Sequence, residues 1–155
     1  MTENKVIKIK YHSDDITKME KIDIGDWIDL RASEDIFIPC NEYRLISLGI
    51  SMKLPEGYEA HVAPRSSTFK NYGIIMTNSI GIIDNSYSGT NDIWRFPAYC
   101  LVPQQIQDGT PGTWIHKNDR ICQFRIVKKQ PTINFEEVDV LDDTDRSGFG
   151  STGVN

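Results

Sequence analysis

The chain has 155 residues, enough to bury one core without disulfides or metals, and one domain is the natural expectation. Its net charge of −5 argues against sequence-independent nucleic-acid binding, which relies on a basic face, but leaves room for a small anionic ligand held by clustered arginines and backbone N–H groups. The 39% hydrophobic content is spread along the chain, with no apolar run of bilayer length and no signal segment at the start, so a soluble cytoplasmic protein is expected.

Residues Lys5 to Lys10, KVIKIK, alternate apolar and basic side chains, the period of a half-exposed strand. Ser13 to Glu20 then offers a capping serine followed by two aspartates, which predicts one or two helical turns. Short strands rich in β-branched and aromatic residues are predicted at Trp27 to Leu30, Ile36 to Ile38, Tyr43 to Leu54, Tyr58 to Ala63 and Gly73 to Met76. Others follow at Ile80 to Ile83, Ile93 to Leu101 and Ile121 to Val127. Many short strands with frequent turns predict an all-β sandwich or barrel. Cys40, Cys100 and Cys122 are odd in number and far apart, so buried free thiols are expected in place of a disulfide framework or a zinc site. After Val140 the chain becomes acidic and then Gly/Ser-rich, dividing a domain over residues 1–140 from a mobile arm over 141–155.

Four segments carry candidate chemistry. Gly81 to Gly89, GIIDNSYSG, sets Asp84 where a strand expected to be buried meets a turn, three residues before Tyr87; an aspartate there either caps the turn or serves as a base on a rigid frame. Ala63 to Lys70, APRSSTFK, offers the Arg65 fork, the Ser66 and Ser67 hydroxyls and successive N–H groups to a phosphate, or else is a polar loop with Arg65 in a salt bridge. In Lys117 to Gln123, KNDRICQ, simple alternation puts Ile121, Gln123 and Arg125 on one face and Arg120, Cys122 and Phe124 on the other, which suits an edge strand, a polar pocket or a subunit axis. The tail RSGFGSTGVN lacks the lysine and following helix of a Walker loop, and its lone Phe149 fits a ring that closes over a flat ligand while Arg146, Ser151 and Thr152 reach a polyphosphate. No G-x-S-x-G elbow supports a serine triad, and nothing pairs two acids for glycoside hydrolysis.

Taken in order, WIDL at 27–30, APRSS at 63–67, NSIGIIDNSYSG at 78–89, NDRICQ at 118–123 and RSGFGSTG at 146–153 resemble the five motifs of the trimeric dUTPase family. The resemblance implies a distorted jelly-roll β fold, a homotrimer with active sites shared between subunits, and Mg²⁺-dependent hydrolysis of dUTP to dUMP and pyrophosphate. By position, Asp84 matches the aspartate that activates the attacking water, and Tyr87 the ring that excludes a ribose 2′-hydroxyl. Asn78 and the backbone from Ser79 to Ile83 match the uracil-reading segment. Arg65, Ser66 and, in the same motif, Ser67 match phosphate contacts, Gln123 a contact near the α-phosphate, and Asp29 an acid linked to the metal through water. Phe149, Ser151, Thr152 and Arg146 match the closing arm. The chain departs from the pattern in the residues before Asp29, in Ser86 where a second acid is usual, in TNDIWRFPAYC, and in the short spacing from Arg146 to Phe149, which makes Arg95 an alternative phosphate cation. A related family, the dCTP deaminases, shares the fold and the Arg-Ser-Ser motif and leaves a deaminase or bifunctional enzyme as the alternative, but no glutamate stands between Tyr87 and Gln107 to shuttle protons. A third reading is a regulatory protein partner, as phage members of the family have, motivated by an exposed Trp94.

Overall fold

The computed structural model of the chain describes residues 3–148. Its strands are β1 (Lys8–Tyr11), β2 (Ile28–Arg31), β3 (Ile36–Pro39), β4 (Tyr43–Ser47), β5 (Ile50–Lys53), β6 (Tyr58–Pro64), β7 (Ile74–Met76), β8 (Gly81–Ile83), β9 (Arg95–Cys100), β10 (Gln105–Gln107), β11 (Thr110–Ile115) and β12 (Arg120–Lys128), with a short helix α1 (Thr68–Tyr72). Every pairing is antiparallel. Early strands meet late ones, β2 beside β12, β3 beside β11 and β4 beside β9, and this nesting is the wiring of a jelly roll. The all-β expectation holds. Leu30, Ile38, Ile46, Trp94, Phe96, Ile115 and Phe124 fill the space between the sheets, and Trp94 meets Phe124 edge to face at 5.4 Å.

Several expectations fail for identifiable reasons. Ser13 to Glu20 is a turn and extended chain, because its N–H groups are claimed from elsewhere: Asn118 Oδ1 accepts from Thr17 N at 2.9 Å and the Tyr11 hydroxyl from Met19 N at 2.6 Å. The single run expected over Tyr43 to Leu54 breaks at Gly49, whose φ of 67° is left-handed and whose space a side chain would lose to Ser33 Cβ at 2.6 Å. Strands β10 and β11 were not expected, since TPGTWI carries the Pro and Gly of a turn; the Phe37 ring lies over Gly112, where a Cβ would sit 2.9 Å from Phe37 Cε2. Trp94 is 1% exposed and belongs to the core, so it offers no exposed ring to a protein partner. Ile82 and Ile80 are exposed, so β8 is an edge strand of the β2-β12-β6-β8 sheet and not a buried one. Strand β12 is central in that sheet, not an edge. Cys100 and Cys122 are buried free thiols as expected, while Cys40 is only partly covered.

Candidate active site

The Asp84 half of the site grows from the end of β8. Asp84 Oδ1 accepts the Ser86 hydroxyl at 2.6 Å and the Ser86 N–H at 2.8 Å, so the carboxylate closes its own turn. Those bonds, the hydroxyl first, hold the Asp84 carboxyl below its ordinary value, helped by the positive charge of Lys129. Asn85 braces the turn by donating from Nδ2 to the carbonyls of Pro55 and Tyr58, each at 2.8 Å. The Tyr87 hydroxyl donates to Ile93 O at 3.0 Å, and Arg95 Nη1 donates to the same carbonyl at 3.3 Å. A cleft of about 490 Å³ is lined by Ile82, Ile83, Asp84, Ser86, Tyr87 and Arg95 with Leu45, Ile93 and Trp94. It therefore holds one carboxylate, one phenol and one guanidinium against aliphatic walls, a size and polarity suited to a nucleoside. Asn78 is exposed in the turn between β7 and β8 and is not among the cleft-lining residues.

The second half stands on the other end of the same sheet. Asp29 of β2 lies opposite Gln123 of β12, and Gln123 lies opposite Ala63 of β6. Gln123 Nε2 donates to Pro64 O at 3.1 Å. Arg65 Nε donates to Asp29 Oδ1 at 2.9 Å, its Nη1 stands 3.5 Å from Ser67 Oγ, and Arg120 Nη1 stands 3.4 Å from Asp29 Oδ2. The salt-bridge alternative for Arg65 is thus realised. Ser66 is exposed at the tip of this turn.

Two residues that sequence reasoning missed hold this half together. Thr68, 1% exposed, accepts the Arg65 N–H at 2.8 Å and donates to Ile121 O at 2.8 Å, so one hydroxyl ties the Arg-Ser-Ser turn to β12. The cue was a threonine at the start of α1, where the segment read as plain turn. Arg120 is the other. A β-bulge between Arg120 and Cys122 buries both Ile121 and Cys122 and leaves Arg120 outside beside Asp29, so the simple alternation that put Arg120 on the Cys122 face fails here. Burial, with the nearby charge of Asp29, pushes the Cys122 thiol far above its ordinary range.

The two halves do not meet within one chain. Asp84 follows Ile83, which pairs with Ala60, whereas Arg65 follows Pro64 at the other end of β6. About six residues of strand separate them, roughly 20 Å at the rise of an extended chain. Residues 129–148 are exposed and without regular structure; Arg146 among them has no hydrogen bond or ion pair to other described residues, and Phe149, Ser151 and Thr152 lie outside the described residues. As for a metal, the described residues contain no group of three His, Cys, Asp or Glu side chains placed to hold one, and both Asp29 oxygens already face guanidinium groups. They do not fit a protein-held Mg²⁺. No helix is long and apolar enough to cross a membrane among the described residues.

The chain resembles known proteins along nearly its whole length. A family model described as dUTPase matches residues 15–153. The chain is 56% identical over 148 residues to the SPbeta prophage-derived deoxyuridine 5′-triphosphate nucleotidohydrolase YosS of Bacillus subtilis, covering 96% of this chain and 98% of that protein. It is 41% identical over 130 residues to the deoxyuridine 5′-triphosphate nucleotidohydrolase of Finegoldia magna, covering 81% and 83%. Among solved structures it resembles the Staphylococcus bacteriophage 80alpha dUTPase with dUPNHPP, at a TM-score of 0.77 and 19% identity over 96% of this chain and 99% of that one. A mutant phage phi11 dUTPase described with a structural Mg(II) ion matches at a TM-score of 0.73 and 16% identity, covering 89% and 99%.

Proposed function

Because the chain belongs to the dUTPase family, we infer that it hydrolyses dUTP to dUMP and pyrophosphate by attack of water on the α-phosphorus. The observation that carries this reading is the state of Asp84. Its Oδ1 is pinned by Ser86 while Oδ2, unbonded among the described residues, is left to accept from a water, and no second acid is among the described residues that line the cleft. A carboxyl held below its ordinary value is fully charged at neutral pH and a weak base. Its part is to aim the water at phosphorus and to take its proton as the new P–O bond forms, in a reaction whose cost lies mainly in alignment and charge.

Substrate choice follows from the same frame. The Ser79 and Ile80 N–H groups already donate to Met76 O and Asn78 O, but the second edge of β8 has no strand partner among the described residues, so the Gly81 to Ile83 groups that face away from β6 can pair with the edge of uracil. Cytosine presents the reversed donor and acceptor pattern and leaves those groups unpaired. The Tyr87 ring, fixed by its bond to Ile93 O, lines the cleft and takes the role that the motif resemblance implies, the exclusion of a ribose 2′-hydroxyl. Arg95 lines this cleft and makes no ion pair among the described residues, which supports it over Arg146 as a cation for the substrate.

The phosphates belong to Arg65, Ser66, Ser67 and Gln123, and these lie too far from Asp84 in one chain to share a substrate. A site complete enough to work therefore draws its two halves from different copies, which supports the homotrimer that the motif resemblance implies. The segment 141–155 then acts as the arm that closes over the nucleotide. Magnesium, in this reading, arrives on the triphosphate, and the described residues offer no group of three ligating side chains to hold it. The test is pyrophosphate release with Mg²⁺ and dUTP, dCTP, UTP or dTTP offered separately. Release from dUTP alone, lost in Asp84→Asn, is expected; release of ammonia from dCTP would favour the deaminase.

A further inference from the structure

We propose that Asp29 is a positioning residue that holds the Arg65 guanidinium for the substrate's phosphates and does not anchor a metal, an inference that rests on the dUTPase reading above. Each oxygen of the carboxylate faces a cation. Oδ1 accepts Arg65 Nε at 2.9 Å, and Oδ2 faces Arg120 Nη1 at 3.4 Å. A hydrated Mg²⁺ approaching Asp29 meets two guanidinium charges first; Glu20 lines the same cleft, but the described residues offer no group of three His, Cys, Asp or Glu side chains to hold the ion.

The geometry of the Arg65 contact fits positioning. Bonding through Nε, the nitrogen nearest the backbone, fixes the plane of the guanidinium and leaves the terminal N–H groups to fork outward, with Ser67 Oγ 3.5 Å from Nη1. Asp29 and Arg65 are each a little over one-quarter exposed, at 28% and 27% for their side chains, so their bond is partly shielded from water and directional. Arg120, half exposed at 50%, supplies charge more than direction. A pair of Asp29 and Arg65 alone would be neutral. With Arg120 the cluster carries a net positive charge that attracts a polyphosphate, and the β-bulge after Arg120 is what brings that charge to the outer face of the sheet.

Calorimetric titration of the protein with a non-hydrolysable imido analogue of dUTP tests this, in Mg²⁺ and in EDTA, using wild type, Asp29→Asn, Arg65→Lys and the double variant. Asp29→Asn is expected to weaken binding about tenfold, the equivalent of about 1.4 kcal/mol, by the same factor with and without metal. In the Arg65→Lys background, which keeps the charge but lacks Nε and the fork, Asp29→Asn is expected to add less than about threefold. Asp29→Glu is expected to recover part of the loss. A loss seen only with Mg²⁺, a full tenfold loss persisting beside Arg65→Lys, or no loss in Asp29→Asn with its near-ultraviolet dichroism intact would overturn the proposal. Failure of wild type to bind the analogue would count against the dUTPase reading itself.

Discussion

Replacing threonine by valine at positions 68 and 113 keeps the shape of two almost fully buried side chains and removes a hydroxyl from each, yet the structure assigns the two changes opposite signs. Thr68 Oγ1 makes two bonds of 2.8 Å, to the Arg65 N–H and the Ile121 carbonyl, whereas Thr113 Oγ1 is buried with no hydrogen-bond partner among the described residues. Thr68→Val loses both bonds and strands a buried donor and acceptor, a destabilisation of about 2–4 kcal/mol. Thr113→Val exchanges an unsatisfied hydroxyl for a methyl, a stabilisation of about 1 kcal/mol. Urea unfolding of both variants at one fixed protein concentration, so that subunit association does not enter the comparison, measures the difference. The Thr68 change should also raise the KM for dUTP, since the freed turn carries Arg65, while Thr113→Val leaves KM unchanged. Thr68→Ser, which keeps the hydroxyl, should retain most of the stability. Equal shifts of the two valine variants, in either direction, would refute the assignment of those hydrogen bonds.

The sign of the pH dependence at Asp84 follows from its lowered value. The ionised base is present above its folded pKa and is lost as pH falls through it, so removing the Ser86 hydroxyl moves the acid limb of kcat/KM toward higher pH in Ser86→Ala. A pH–rate profile that does not move would mean Asp84 is not the titrating base. Among the thiols, Cys40 should react with iodoacetamide in the native protein, while Cys100 and Cys122, both buried and raised above the ordinary thiol value, should stay unmodified until urea unfolds the chain. Peptide mass mapping of the labelled protein reads this directly.

The sequence announced its strands where hydrophobic period and turn residues agreed, as at β6, β7 and β12. It misled where tertiary bonds overrode local preference. Ser13 to Glu20 has the cap and acidic first turn of a helix, but Asn118, 101 positions from Thr17, takes the hydrogen bond that the helix would need. At the site, Asp84, Tyr87 and Ile83 were legible because a motif of nine residues is local. Their grouping with Arg95 was less so, since it depends on both residues being tied to the Ile93 carbonyl. Arg120 was assigned to the wrong face because period-two alternation has no way to anticipate a bulge. Thr68 passed as an ordinary turn residue because its importance lies in Ile121, 53 positions away.

The length of β6 has a genetic consequence. With Asp84 at one end and Arg65 at the other, a chain that has lost one of these residues still carries the opposite half of the site intact. Asp84→Asn and Arg65→Gln proteins should each be inactive alone. Unfolded together and reassembled at equal ratio, they should regain activity in about a quarter of their sites if each site is shared between two copies, as proposed, and chains mix at random. Two defective alleles would then complement one another in the same cell, and a single defective allele would poison some of the sites built with normal chains.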